Sequence, residues 1–425
     1  MPLLLLVRLT GASRAGLAAI LLMTLIFGLA APLRAGPSLV VDAATGQVIM
    51  AEDAGEPWYP ASLTKLMTAY LTFDALRAGR LRLEQKIPVS ATAARTQPSK
   101  IGFKAGSTIS VDFTLRALLV YSANDMAAVL AEAVGGTVPD FVARMNAAAA
   151  KLGLTGTRFA NPHGLHDSRQ VTTARDMGLL ALAILNEFPQ YRHYFSAPYL
   201  KVGKKRLRNR NMLLRQMAAA DGMKTGYICS SGFNLVASAT IDNRRYLAVV
   251  FGAKTAKGRA DIAEVLLESA AQRKGTYAGA AQIIQIPNRS GTAPANMSDI
   301  VCKGRSRVAW AKASQLEGWG ASFGRFSDAN AADALLAGRL ASTRDLISGG
   351  ASGVVKVPGS KEYVALVWSL GERETLKLCG FLRQANAHCE VVPPEAFAEF
   401  ARQATSAEGD NTPVKRKTRR SHDKK

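Results

Sequence analysis

Pro60-Ala61-Ser62-Leu63-Thr64-Lys65-Leu66-Met67-Thr68-Ala69-Tyr70-Leu71 is the stretch on which the reading of this chain turns. It places Ser-x-x-Lys at the start of an apolar helix. Residues three apart share one helix face, so Ser62 and Lys65 stand side by side. A serine hydroxyl is a weak nucleophile until a base takes its proton, and a desolvated lysine with a lowered pKa is such a base. The helix start adds a positive dipole and free backbone N–H groups where an acyl oxyanion would form. Ser-x-x-Lys alone recurs by chance in long chains. Two later pieces give it weight.

The second piece is Ser122-Ala123-Asn124, at a helix-to-loop transition, and the third is Lys224-Thr225-Gly226, opening a strand. Each has a task beside an activated serine. Ser62 attacks an acyl carbonyl and Lys65 accepts its proton. Ser122 can relay a proton to the leaving amine, because a hydroxyl both donates and accepts. Asn124 suits holding a substrate amide and buttressing Lys65. Lys224 offers a fixed positive charge for a free carboxylate, and Thr225 adds a hydroxyl. Gly226 lets a substrate backbone lie against the strand edge. The N–H groups of Ser62 and Tyr227 are the expected oxyanion donors. Ser-Ala-Asn alone is a turn and Lys-Thr-Gly alone a strand end. The three occur together, in order, each in a suitable local context. His163 and His166 read as loop residues, not as bases or ligands.

Outward from these pieces the pattern is mixed. Ser38–Asp42 and Gln47–Met50 form an apolar hairpin. The Ser62 helix runs to about Arg77 and closes at Gly79. Helices are expected over Val111–Val120, Met126–Val134, Pro139–Leu152 and from Thr172 or Thr173 onward. Three strands follow, opening at Asp221, Asn234 and Arg245, and a closing helix runs over Asp261–Ala271. This predicts helices packed on an antiparallel sheet across residues 36–275. Residues 276–316 lack a sustained period and are expected to be a linker. Residues 317–395 read strand, helix, strand, strand, helix, strand, a small split βαβ domain. Residues 396–425 end in a basic run and are expected to be a disordered tail.

With 425 residues and 48% hydrophobic content, the chain is long enough for two cored domains. Its net charge of +22 favours anionic partners. No nucleic-acid motif accompanies that charge. Arg8 and Arg14 precede an apolar run over Leu17–Ala31, with small Ala35 after it. This is a secretory pattern, so residues 1–35 are expected to be a signal peptide and the chain to work in the periplasm or cell wall, possible association with the inner membrane included. Export permits disulfides. Cys379 and Cys389 bracket one helix-to-strand connection and are the expected pair. Cys229 is expected to be a free thiol beside the site, and Cys302 to be unpaired in the linker. No Cys/His spacing suggests zinc, and no cofactor is implied.

The three pieces and their order resemble those of the low-molecular-mass penicillin-binding proteins, the S11 serine D-alanyl-D-alanine carboxypeptidases. Asn161–Leu165, Thr173–Met177, Asp221–Gly226, Gly232–Ala239 and Gly252–Thr255 resemble further blocks of that family, over about residues 37–272. The resemblance implies a serine β-lactamase/penicillin-binding-protein fold of the α/β (α+β) kind. It implies acylation of Ser62 by a peptidoglycan stem peptide ending in D-Ala-D-Ala, loss of the terminal D-alanine, and covalent trapping by β-lactams. The βαββαβ segment resembles a SPOR domain, a module that binds peptidoglycan glycan strands. Many members carry a C-terminal amphipathic helix that holds them on a membrane. Here the basic, polar tail gives no expectation of one.

Three rivals share these letters. A class A-like β-lactamase needs a carboxylate to drive water onto the acyl-enzyme, and Leu185-Asn186-Glu187 has the letters of the relevant loop in the wrong order. Ser122-Ala123-Asn124 also lacks that class's middle Asp. A D,D-endopeptidase or transpeptidase differs in the substrate or acceptor, not in these motifs. A catalytically silent wall-binding protein would not be expected to keep all three pieces intact.

Overall fold

The computed structural model describes residues 36–273, 280–302, 316–343, 346–347, 350–384 and 387–409. It divides into a unit of residues 1–34 and a unit of residues 35–425, and only the second is treated below. The expected signal segment lies outside the described residues.

In chain order the main elements begin with β1 (Ser38–Asp42), β2 (Val48–Glu52), α1 (Lys65–Arg77), β3 (Lys86–Pro88) and β4 (Thr108–Ser110). Next come α2 (Val111–Arg116), α3 (Asn124–Gly135), α4 (Val138–Lys151) and α5 (Ala174–Glu187). The small hairpin β5 (Tyr199–Val202) and β6 (Lys205–Arg208) leads to β7 (Ala220–Ile228), β8 (Gly232–Ile241), β9 (Arg244–Ala253) and α6 (Ala256–Gln272). The later part holds β10 (Trp319–Phe326), α7 (Ala329–Thr343), β11 (Ala351–Lys356), β12 (Tyr363–Leu370), α8 (Glu372–Gln384), β13 (Glu390–Val392) and α9 (Pro394–Gly409).

The five-stranded antiparallel sheet runs β2-β1-β9-β8-β7. Alternation along its strands sends side chains to two cores. Leu39, Val41, Val236, Leu247 and Val249 join α1, α3 and α5 on one face. Val40, Leu235, Ala237, Ala248 and Val250 meet α6 on the other. Period-2 burial on both faces fixes the register, because a one-residue slip would exchange the two sets. The closing helix α6 starts earlier than its sequence suggests. Thr255 caps it by accepting from the Gly258 N–H at 2.8 Å. Thr173 likewise caps α5.

Residues 280–302 do not behave as a linker. They run along the catalytic unit as a strap. The Val48 N–H donates to Ala281 O and the Ile283 N–H to Gly46 O, which covers the β2 end of the sheet. Asn288 donates to Asp176 Oδ1 at 3.0 Å and accepts from Thr173 Oγ1 at 2.8 Å. Gly55 is needed where the strap passes: a Cβ there would sit 2.0 Å from Pro287 O. The Met297 N–H donates to Ser230 O, and the strap ends in a Cys229–Cys302 disulfide with Cα atoms 5.7 Å apart. Both cysteines were expected to be unpaired. The sequence separation of 73 residues hid a partner that the fold brings back. Cys379 and Cys389 pair as their spacing suggests. Closing so long a loop constrains the unfolded chain. Removing Cys229–Cys302 in a Cys229→Ser/Cys302→Ser variant should therefore lower stability by about 2–4 kcal/mol, seen as a lower urea midpoint with unchanged slope.

The later strands form a four-stranded antiparallel sheet ordered β11-β12-β10-β13. With α7 and α8 on one face this is the split βαβ arrangement. The opposite face is also covered. Phe397 and Phe400 of α9 pack on Val355, Val364, Leu366 and Trp368. The expected disordered tail is thus helical to Gly409, because these phenylalanines have an apolar sheet face to cover; residues 410–425 lie outside the described residues. The module docks on the catalytic unit through α7 against α6. Gly258 and Gly338 let the helices close up: a Cβ on the first would sit 3.0 Å from Ala334 Cβ, and on the second 3.3 Å from Val265 Cβ. Beside them Lys254 and Asp333 form a 2.6 Å ion pair at the joint.

Candidate active site

Ser62 lies in a short 3₁₀ turn, Ala61–Thr64, that runs directly into α1. The turn is wedged between two glycines. Gly226 of β7 passes so close that a Cβ would meet Pro60 O at 2.8 Å and the Ser62 N at 3.2 Å. Gly164, at φ +86°, approaches from the other side, where a Cβ would sit 1.9 Å from Ala61 O. Only glycine fits either place. This packing fixes the nucleophile's backbone and sets the N–H of Ser62 beside β7.

One turn on, Lys65 is wholly buried. Its Nζ donates to Ser62 Oγ at 2.9 Å, to Asn124 Oδ1 at 2.7 Å and to the His163 backbone carbonyl at 2.5 Å. Three acceptors saturate an ammonium. Burial nevertheless pulls its pKa down to about 7, against the opposing pull of Asp125. A large fraction is therefore free amine at neutral pH, the form that can take a proton from Ser62. The sign is fixed: the active form is the deprotonated one. The rate of Ser62 acylation by a penicillin should climb about tenfold per pH unit below about 7 and flatten above it, in stopped-flow traces from pH 5 to 9.

Ser122 ends a π-helical turn, Ala117–Tyr121, in the left-handed region at φ +67°. A non-glycine residue held there marks a site over-determined by its surroundings. Lys224 Nζ donates to Ser122 Oγ at 2.9 Å and to Thr225 O at 2.7 Å. Lys224 is 1% exposed, and burial together with the charges of Lys65, Arg259 and Arg210 holds its pKa well below the usual lysine range. Its charge therefore reaches the cleft through the Ser122 hydroxyl. Two serine–lysine pairs thus face each other, one on α1 and one joining the π turn to β7.

Asn124 has both ends of its amide in use. Oδ1 takes the Lys65 bond, and Nδ2 donates to Gln97 O and Pro98 O at 3.0 and 3.1 Å. In this state it buttresses Lys65 and ties down the 97–99 loop, and leaves no amide atom for substrate. Thr225 is nearly buried, and Tyr227 is 43% exposed and stacked on Phe233 with centroids 4.2 Å apart. Its hydroxyl lies 3.2 Å from Cys302 Sγ, so the strap touches the strand edge of the site. Ser62, Ser122, Asn124, Thr225, Gly226 and Tyr227 line one cleft of about 890 Å³.

Several participants were not legible beforehand. Arg259, buried on α6, donates to Gly226 O at 3.0 Å and supports β7 from behind; burial and Arg210 bring its pKa to about 10, so it stays charged. Asn234 ties β8 to Tyr59 O at 2.9 Å and to the Gly252 N–H at 3.1 Å. Asp125 accepts from the N–H groups of Ile101 and Gly102. His163 contributes its carbonyl, and burial and Lys65 pull its ring pKa down to about 3. A backbone acceptor leaves no sequence signal of its own. Among the described residues there is no cluster of potential metal ligands.

The sequence profile of the S11 peptidases, described as D-alanyl-D-alanine carboxypeptidase, matches residues 29–255, just over half of the chain. The chain belongs to that family. A curated relative, the D-alanyl-D-alanine carboxypeptidase DacD of Salmonella typhimurium, is 38% identical over 249 residues, 57% of this chain and 64% of that protein. The chain thus spans less than two thirds of that relative's length. Among solved structures, penicillin-binding protein 5 from Haemophilus influenzae is 36% identical with a TM-score of 0.54, covering 57% of this chain and 72% of that one. Penicillin-binding protein D2 from Listeria monocytogenes, solved in a cefotaxime-bound form, is 29% identical with a TM-score of 0.51, covering 56% of this chain and 96% of that one. The penicillin-binding-protein fold inferred from the three motifs is the fold observed.

Proposed function

We propose that the chain is an exported serine D,D-carboxypeptidase that removes the terminal D-alanine from peptidoglycan stem pentapeptides. The observation that carries this is the buried Lys65 amine 2.9 Å from Ser62 Oγ, with its pKa near 7. Lys65 takes the hydroxyl proton as Ser62 Oγ bonds to the penultimate D-alanine carbonyl carbon. The N–H groups of Ser62 and Tyr227 receive the oxyanion. The C–N bond breaks as Ser122 protonates the departing D-alanine nitrogen, with Lys224 behind that hydroxyl. Water then opens the ester and restores Ser62. A β-lactam enters the same first step, and its acyl-enzyme is trapped; the cefotaxime-bound form of the Listeria relative supports this. The test is D-alanine release from a pentapeptide ending in D-Ala-D-Ala. No release from a chain that a fluorescent penicillin still labels would move the reading to another wall peptide.

Export is supported by the leader pattern before Ala35 and by two disulfides, which persist in oxidising compartments. Glycan binding by the β10–β13 module is supported by its split βαβ topology. Sedimentation of the chain with isolated wall sacculi tests it, and a chain left in the supernatant would remove glycan from the reading.

A further inference from the structure

The hairpin β5–β6 has one apolar and one cationic face. Its register sets Tyr199 opposite Arg208, Leu200 opposite Leu207 and Lys201 opposite Arg206. Leu200 and Leu207 point into the catalytic core. The other face therefore carries Tyr199, Lys201, Arg206 and Arg208. Arg206 and Arg208 are exposed and line the cleft that holds Ser62. Arg206 is pre-set by lying over the Tyr199 ring, 3.5 Å from its centroid. Five arginines and no carboxylate line the cleft. None of the ion pairs found among the described residues involves Arg206 or Arg208. A one-signed wall of this kind focuses its field on an incoming anion.

The position of the wall says which part of a substrate it meets. The hairpin packs on the π turn that ends at Ser122. The Arg210 N–H that follows it donates to Val120 O at 3.2 Å, and the Arg210 guanidinium lies over Tyr121 at 4.5 Å. Ser122 is the hydroxyl that faces the departing nitrogen, so the arginines flank the leaving-group side. Free D-alanine carries one carboxylate and few atoms. It engages the Ser122 and Lys224 end and leaves Arg206 and Arg208 without a task.

We propose that Arg206 and Arg208 form a leaving-group subsite for a larger anionic amine, and that the chain also cleaves cross-linked stem peptides as a D,D-endopeptidase. This rests on the Ser62 acyl-enzyme reading above. The leaving group is then the side-chain amine of a second stem, whose own carboxylates reach the hairpin. The chemistry balances without a new reactant. Ser62 Oγ bonds to the D-alanine carbonyl carbon, the C–N cross-link breaks, and the serine proton passes to the departing nitrogen. One water then hydrolyses the ester to a carboxylate.

The experiment follows two substrates with the purified chain and with Arg206→Gln/Arg208→Gln: a cross-linked dimer of stem peptides and an uncross-linked pentapeptide. The parent should cleave both. The double variant should lose about tenfold in kcat/KM on the dimer, while pentapeptide cleavage and penicillin labelling stay within about twofold, which also reports an intact fold. A dimer amidated at the carboxylates of its leaving stem should be as poor for the parent as the native dimer is for the variant. Cleavage of the pentapeptide but not the dimer by the parent would overturn the proposal and leave the carboxypeptidase reading standing. So would equal dimer rates in parent and variant. Failure on both substrates would overturn both readings.

Discussion

Ser62→Ala should abolish covalent labelling by a fluorescent penicillin and lower D-alanine release by at least about 10³-fold, with an unchanged far-ultraviolet spectrum. The covalent readout is the sharper one, because no other hydroxyl occupies the place of Ser62. Ser122 is held by Lys224 at 2.9 Å on the far side of the cleft, and Lys65 donates to Ser62. The substitution removes one small, half-buried atom from a turn whose backbone is set by Gly164 and Gly226. The fold should therefore persist and isolate the chemical loss. Retained labelling in the variant would move the nucleophile elsewhere.

Lys65→Arg separates a base from a mere positive charge. Arginine keeps the charge but does not deprotonate at working pH. If the lysine acts as its free amine, acylation should fall by about 10²–10⁴-fold and the pH dependence near 7 should vanish. Arginine is also longer, and Lys65 sits among three acceptors in a site with no exposed surface. Lys65→Met controls for crowding: it also lacks a base and should be slow, with a flat profile. Acylation of the arginine variant within tenfold of the parent, with the slope below pH 7 kept, would assign the pH dependence to another group.

The catalytic fold was legible because its signals are local. Alternating apolar residues in β1, β8 and β9 and a helix-start Ser-x-x-Lys carry their structural context with them. Ser62, Lys65, Ser122, Asn124 and Lys224 meet because each stands at an element end where a motif could be read. What was missed is non-local. The strap over 280–302 looks featureless because it forms few repeating contacts of its own. Its order comes from Asp176, Gly46 and Ser230, far away in sequence. The Cys229–Cys302 bond depends on that path and could not be inferred from spacing. Arg259 read as an ordinary helix arginine, and only the packing of α6 behind β7 gives it Gly226 O. In α9, Phe397 and Phe400 were outvoted by the polar run that follows them, since the sheet face they cover could not be seen from composition.

The strap also sets where this chain can be recombined. A splice at residue 275, where the sequence changes character, would separate the sheet from its edge cover, remove the partner of Cys229, and leave Asp176 without the Asn288 amide. The inheritable catalytic cassette therefore runs through Cys302. A donor of another C-terminal module would have to be joined beyond that cysteine. It would also meet an α6 surface shaped for α7, with Gly258 exposed and Lys254 deprived of Asp333. Grafts that respect the first boundary but ignore the second should give an enzyme that still acylates yet carries a bare, adhesive helix face.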